Sequence, residues 1–367
     1  INIKKLFLND LHLKYGAKFA PFSGYNMPIN YKEGIIKEHL HTRKYVSLFD
    51  VSHMGQILIP VTDINSKKLE KIIPLDLYNF QNNKSSYSFI LNQKGGIIDD
   101  IIISKIKYSD KYYYFIVYNS SRKSVDEKLF LQLTLDPIIL SNNVLLAIQG
   151  PLSSKILSSL NIKINNFSFM SINTFKYMDS EIIISRTGYT GEDGFELSIP
   201  NNIAENFFHN TMKNNEIILC GLGCRDTLRI EAGLSLYGNE LNENITPVEA
   251  NLTWALSKKR LSRGDFNGFE IMNEQIIKNK FYKKVGIISK SKSILRSEME
   301  IFDMNKKNIG KLTSGGFSPS LNKSIGIAYI DNILNNNVNK IYCSIRDNLH
   351  EVLLTELPFL NHNYRRY

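Results

Sequence analysis

The segment Gly95-Gly96-Ile97-Ile98-Asp99-Asp100-Ile101 places two carboxylates inside a run of isoleucines, where β-propensity is high and Asp is poorly suited. Strand side chains alternate in direction, so only one of the two carboxylates can share a face with any given site. With Asn92 to Gly96 as a hairpin loop, Leu91 pairs with Ile97 and Phe89 with Asp99, which puts Tyr87 on the Asp99 face two residues along the partner strand. Two readings stay open from these residues. One is a strand end with a solvated and a turn-forming carboxylate; the other is an ionised carboxylate held against an amine or a developing cation.

A second segment, Arg186-Thr187-Gly188-Tyr189-Thr190-Gly191-Glu192-Asp193-Gly194-Phe195-Glu196-Leu197, is a Gly-rich loop. Glycine opens conformations that other residues avoid. The Lys-Ser/Thr of a P-loop is missing and the spacing is not the dinucleotide fingerprint, which argues against a nucleotide site. Beyond the loop Phe195, Leu197 and Ile199 share one strand face and Glu196 takes the other. Glu196 is either the wet side of a half-buried strand or, with Tyr189, part of a grip on a flat, donor-rich heterocycle: the ring stacks while the carboxylate accepts parallel N–H bonds.

The third segment runs from Gly221 to Leu234 and has helical composition. Arg225 and Arg229 stand one turn apart on that helix. Either could fork onto a carboxylate or ring carbonyl, or pair at the surface with Asp226 or Glu231. Histidines add little: Ser52-His53 near Asp50 lacks a nucleophile elbow, His39 and His41 lack a third metal ligand, and His53 reads as packed and hydrogen-bonded. Cys220 and Cys224 form half a metal site with nothing in the sequence to complete it, so no metal is expected. With Cys343 they make an odd set, which indicates reduced thiols in a cell and not a disulfide scaffold.

These segments need a scaffold. The 367 residues exceed one ordinary core, and 43% hydrophobic with 22% charged residues is a globular balance. The formal charge of +10 favours anionic cofactors or acidic partners, but no Arg-rich arm or zinc-finger spacing supports nucleic-acid binding. No apolar run reaches the ~18 residues of a membrane span. The chain opens at Ile1, so removal of a targeting peptide is an expectation.

Strands are predicted at Tyr87 to Leu91, Ile97 to Ile103, Tyr112 to Val117, Val144 to Ile148, and on either side of the 187–194 loop. The first fifty residues read as a mixed entry segment, and 55–117 as β-runs with turns. After about residue 270 short strands with polar turns suit a small barrel. The fold class is α+β, with antiparallel sheets in residues 1–270 and a mostly β domain over 271–367.

Ten segments in collinear order then resemble the aminomethyltransferase family, the T-protein of glycine cleavage: YGAKFAPFSGYNMP, SLFDVSHMG, GGIIDDIII, VYNS, AIQGP, RTGYTGEDGFEL, GLGCRDTLRIEAGLSLYG, TPVEANLTW, KLTSGGFSPSL and ELPFLNHNY. The resemblance implies a three-lobed cloverleaf around a central folate hole, with two interleaved subdomains and a C-terminal β-barrel. It implies transfer of a one-carbon unit from an aminomethyl group on the lipoyl arm of H-protein to tetrahydrofolate, giving 5,10-methylenetetrahydrofolate and ammonia without a metal. It assigns the reactive carboxylate to Asp99, where an ionised group orients the folate and stabilises positive charge. It carries the pterin-binding roles to Glu196, Arg225 and Tyr189, a further contact to Tyr364, and pocket lining to Tyr87, Asn119 and Met54. Many members have Trp where Tyr25 stands.

A folate-binding relative that assists iron–sulfur cluster assembly is disfavoured, since its Lys-Gly-Cys-Tyr segment is absent from 187–193. The folate domains of sarcosine and dimethylglycine dehydrogenases are normally fused to a flavin domain, for which this chain has no room. By the resemblance the setting is the mitochondrial matrix in a eukaryote and the cytoplasm otherwise.

Overall fold

The computed structural model describes residues 3–331, 340–346 and 348–367. A six-stranded sheet runs in the order Ile172–Tyr177, Ser180–Ser185, Gly194–Pro200, Asn143–Gln149, Val46–Asp50, Ile217–Leu219. Only its last pair is parallel. The unbroken apolar run of Asn143–Gln149 follows from burial on both faces: Val144, Leu146 and Ile148 enter one core, Leu145 and Ala147 another. Helix Asn201–Met212 lays Ile203, Ala204, Phe207 and Phe208 on the first of these cores, a spacing that repeats every three to four residues as one helical face requires.

A five-stranded antiparallel sheet is inserted in sequence between Val46–Asp50 and Asn143–Gln149. Its order is Lys84–Leu91, Ile97–Tyr108, Lys111–Tyr118, Gly55–Pro60, Ile138–Ile139. The five-stranded sheet is therefore nested in sequence within the six-stranded one. Helix Asp63–Ile72 covers the second sheet, capped by the Thr62 hydroxyl accepting the Asn65 N–H. It was not expected from sequence, where 55–117 read as strands and turns. Its apolar stripe is thin, because Leu69 and Ile72 are buried while Ile64 faces solvent.

The third lobe is a closed six-stranded barrel: Tyr282–Ser289, Lys323–Asp331, Asn308–Ser318, Glu300–Phe302, Ile341–Ile345, Asn348–Thr355. Helix Phe269–Lys278 precedes it, at the predicted change of texture. The mixed α+β architecture with antiparallel sheets and a C-terminal barrel agrees with the expected fold class.

One detail of register matters for chemistry. Leu91 pairs with Ile97 as expected, but Ile98 is bulged out, so Ile90 pairs with Asp99 and Phe89 with Asp100. A bulge inserts one residue and exchanges the faces of all that follow. Tyr87 consequently shares its face with Asp100, not Asp99.

Candidate active site

Where the lobes meet, a cavity of about 1440 Å³ is lined by residues from every unit, room enough for an extended ligand. The second sheet contributes Tyr87 and Asp100, the first contributes Glu196, helix Leu222–Glu231 contributes Arg225, the barrel contributes Lys284, and the C-terminal segment contributes Tyr364.

Asp100 reaches the cavity because the bulge turns it there. Its Oδ2 accepts the Tyr87 hydroxyl at 3.0 Å and its Oδ1 accepts the Asn119 side-chain amide at 2.7 Å. Burial, followed by the neighbouring Asp99, holds its carboxyl up to about 7 against these two donors. Asp99 is fully buried and is not among the lining residues. The expectation that Asp99 faces the cavity is therefore corrected, and the physical reason is the bulge at Ile98.

The other end is built on the Gly-rich loop. Gly191 has φ +80°, and a Cβ on Gly188 would stand 1.9 Å from Gln149 Oε1, so both positions call for glycine. The loop is anchored outside the cavity by the Arg186–Asp193 pair at 2.6 Å. Glu196 accepts the Thr187 hydroxyl at 2.6 Å. Arg225 lies 4.6 Å over the Tyr189 ring, and the Tyr189 hydroxyl donates to Ser235 O at 2.6 Å. Arg225 Nη1 is buried without a hydrogen-bond partner among the described residues. Burial pushes the guanidinium below its ordinary value, opposed by Glu196 and Tyr189, yet Arg stays charged in proteins. Arg225 lines the cavity, and a guanidinium there is a donor for a carbonyl or carboxylate of a ligand.

Tyr364 lines the wall, stacked on Phe169 at 3.9 Å. Met54 and Asn119 line it too, so seven of the eight sequence-predicted residues converge there and Asp99 does not. Arg229 does not line the cavity; the alternative of a surface pair also fails, because Arg229 is buried on Glu240 at 2.8 Å as well as Asp226. Arg225 has neither Asp226 nor Glu231 as an ion-pair partner among the described residues.

His53 is packed against Phe22 and Tyr25, as expected, but its Nδ1 has no hydrogen-bond partner among the described residues. Burial, then Arg225, pushes it down to about 3, so it is a neutral lining group. Ser52 and Asp50 form no triad with it, since Asp50 pairs with His12 at 2.7 Å. His39 and His41 diverge, to Glu231 and to Glu216 O. Glu38 joins Cys220 and Cys224 in a buried group, with its carboxylate already accepting the N–H groups of Tyr31 and Gly221.

Sequence reasoning missed Lys284, Trp254 and Tyr237 on the cavity wall. Lys284 donates to Ser235 Oγ at 2.6 Å, and burial lowers it to about 8. Its signal was the strand Tyr282–Ser289, where Val285 and Ile287 fill the barrel while apolar Ile288 shows that the Lys284 face is covered as well. Trp254, 70% exposed at the rim, stacks on Tyr87 at 5.7 Å.

Comparison with known proteins decides the family. The pattern described as GCVT N-terminal domain matches residues 8–260, and that of the glycine cleavage T-protein C-terminal barrel domain matches 283–361. The mitochondrial aminomethyltransferase of Pisum sativum is 38% identical over 99% of this chain and 90% of its own; that of Mus musculus is 34% identical over 97% and 90%. The solved glycine cleavage system aminomethyltransferase T of Bartonella henselae superposes with a TM-score of 0.91 at 33% identity, covering 99% of each chain.

The chain belongs to the aminomethyltransferase family of the glycine cleavage system. This family is a tetrahydrofolate-dependent class of transferases, and the cavity just described occupies the junction of its two family domains. No helix among the described residues of this aminomethyltransferase is long and apolar enough to cross a membrane.

Proposed function

We propose that this aminomethyltransferase takes an aminomethyl group from the lipoyl arm of H-protein and transfers its one-carbon unit to tetrahydrofolate, releasing ammonia and leaving the arm as the reduced dithiol. The observation that carries the reading is the polarity of the cavity. One end offers a carboxylate, an aromatic face and an unpartnered guanidinium donor from Glu196, Tyr189 and Arg225. The other offers Asp100, fixed by Tyr87 and Asn119. A pterin, flat and edged with N–H donors and a ring carbonyl, matches the first end.

Tetrahydrofolate supplies the amine that accepts the one-carbon unit. Glu196 accepts N–H bonds from the heterocycle, Arg225 donates to its carbonyl, and Tyr189 bears on its face. Asp100 then lies against the amine edge. Its ionised form stabilises positive charge where the carbon is transferred, and its raised value leaves it able to hold a proton near neutral pH. Neutral His53 adds no competing positive charge beside Arg225. Tyr87, stacked on Trp254 at the rim, guides the incoming arm.

The curated relatives are named mitochondrial, which supports a mitochondrial matrix setting, and the net charge of +10 suits an acidic carrier. Mixing the enzyme with aminomethylated carrier and tetrahydrofolate tests the reading. Stoichiometric ammonia is expected, and none from any lipoylated carrier would overturn it.

A further inference from the structure

Behind the cavity wall lie two more carboxyls. Asp99 points to the opposite face from Asp100, and Asp126 approaches it from helix Lys123–Leu133; both are fully buried. Asp99 Oδ2 accepts the Asn119 backbone N–H and Oδ1 accepts the Asn119 side-chain amide, each at 2.8 Å. Among the described residues neither oxygen of Asp126 has an N–H or hydroxyl donor, and its hydrogen-bonding neighbour is the Asp99 carboxyl.

Two buried carboxylates in contact do not both keep their charge. An ionised Asp126 without a donor would also bear the full cost of desolvation. The surroundings do not remove that cost. Arg122 favours its charge, whereas Asp100 and Glu127 oppose it. Tyr118 spends its hydroxyl on Glu127, and Tyr237 spends its own on Ile97 O. A proton between the two carboxyls supplies the missing donor. Because Asn119 already donates to both oxygens of Asp99, Asp99 is the acceptor and Asp126 the acid.

We propose that Asp126 and Asp99 share one proton, and that this pair is a positioning unit which fixes Asn119 and thereby Asp100. The same Asn119 nitrogen reaches Asp99 Oδ1 at 2.8 Å and Asp100 Oδ1 at 2.7 Å. The pair so determines which way the amide faces and limits the negative charge beside Asp100 to a single unit. The proton sharing does not depend on which carboxylate works in the cavity; its consequence for turnover rests on Asp100 being that carboxylate.

Infrared spectroscopy of the full chain labelled with ¹³C-aspartate, at a pH well above the value of Asp100, tests the first part. The wild type is expected to show the carbonyl stretch of a buried carboxylic acid, moved by the label and by ²H₂O, and Asp126→Asn to lack it. Absence of the band from the folded wild type overturns the proposal even where Asp126→Asn does not fold.

The pH dependence of kcat/KM tests the second part. Asp126→Asn replaces an acid O–H by an amide N–H with no change of charge, so the acid limb keeps its position whatever the rate. Asp99→Asn removes the charge beside Asp100 and moves that limb down by about one pH unit. A comparable shift in Asp126→Asn would mean Asp126 was ionised and overturns the proposal. A band in the infrared with no turnover in any form would count against the functional reading and leave the shared proton standing.

Discussion

Arg225 is a cavity-lining guanidinium placed over a tyrosine ring, with one buried nitrogen left unbonded among the described residues. Such a group contributes little until an acceptor arrives, and a hydrogen bond to a charged group is then worth about 1.5–3 kcal/mol. Arg225→Ala is accordingly expected to weaken tetrahydrofolate binding by roughly 10–100-fold by calorimetry, with kcat at saturation changed far less. Unchanged affinity would detach Arg225 from the ligand. Asp100 belongs to the opposite end and to a different readout. Burial and Asp99 raise its value to about 7, so its anion forms as pH rises through neutrality. If the anion is the working form, kcat/KM climbs across that interval and levels off above it. A profile flat between about pH 6 and 8 would show that Asp100 does not titrate in the free enzyme.

The strand Ile97–Tyr108 shows how far sequence carries and where it stops. Its existence, its partner strand and the pairing of Leu91 with Ile97 follow from alternation and a turn. The bulge at Ile98 does not, because Ile97 and Ile98 are identical in type and Asp99 and Asp100 are too, so a shift of one residue leaves the pattern unchanged. One unreadable residue was enough to exchange Asp99 for Asp100. The Gly-rich loop is the reverse case: three glycines signal a constrained backbone, and Glu196 reads correctly as facing away from Phe195 and Leu197. Helix Leu222–Glu231 was legible from composition, yet the burial of Arg229 depends on Glu240 and Ser314, remote in sequence. The loop also yields a prediction. Gly188→Ala places a methyl into Gln149, whose amide holds Thr187 O and Thr190. Overpacking of this kind costs about 1–3 kcal/mol, so a lower Tm together with weaker folate binding is expected. An unaltered Tm would show that Gln149 yields freely.

The barrel is tied to the N-terminal helices Ile35–Lys44 and Leu222–Glu231 through buried Glu231. From helix Leu222–Glu231 that residue reaches His39 at 2.9 Å and Arg43 at 2.8 Å on helix Ile35–Lys44, and Ser318 at 2.5 Å with Ser320 N at 3.1 Å from the barrel lobe. Burial raises its carboxyl, but His39, Ser318 and Arg43 outweigh this and hold it down at about 2. A depressed carboxylate contributes stability that is complete above its unfolded value near 4.5 and is lost as pH falls toward 2. The contribution is about 3 kcal/mol in full, and Glu231→Gln should flatten the acid side of a urea-denaturation profile. A profile as steep as the wild type would locate the acid sensitivity elsewhere. That clamp matters because the cavity exists only while all lobes are docked, with Asp100, Glu196 and Lys284 coming from different ones. Trp254 was invisible in sequence for the same reason, and the strand pattern around Lys284 marks a covered face without showing what it faces. Single-turnover ammonia release by Asp100→Asn, with aminomethylated carrier and saturating tetrahydrofolate, bears most directly on this arrangement. A slowing of roughly 10²–10⁴-fold is expected, with folate affinity within a factor of about three by calorimetry. Release at close to the wild-type rate would remove the carboxylate, and the mechanism built around it, from the cavity.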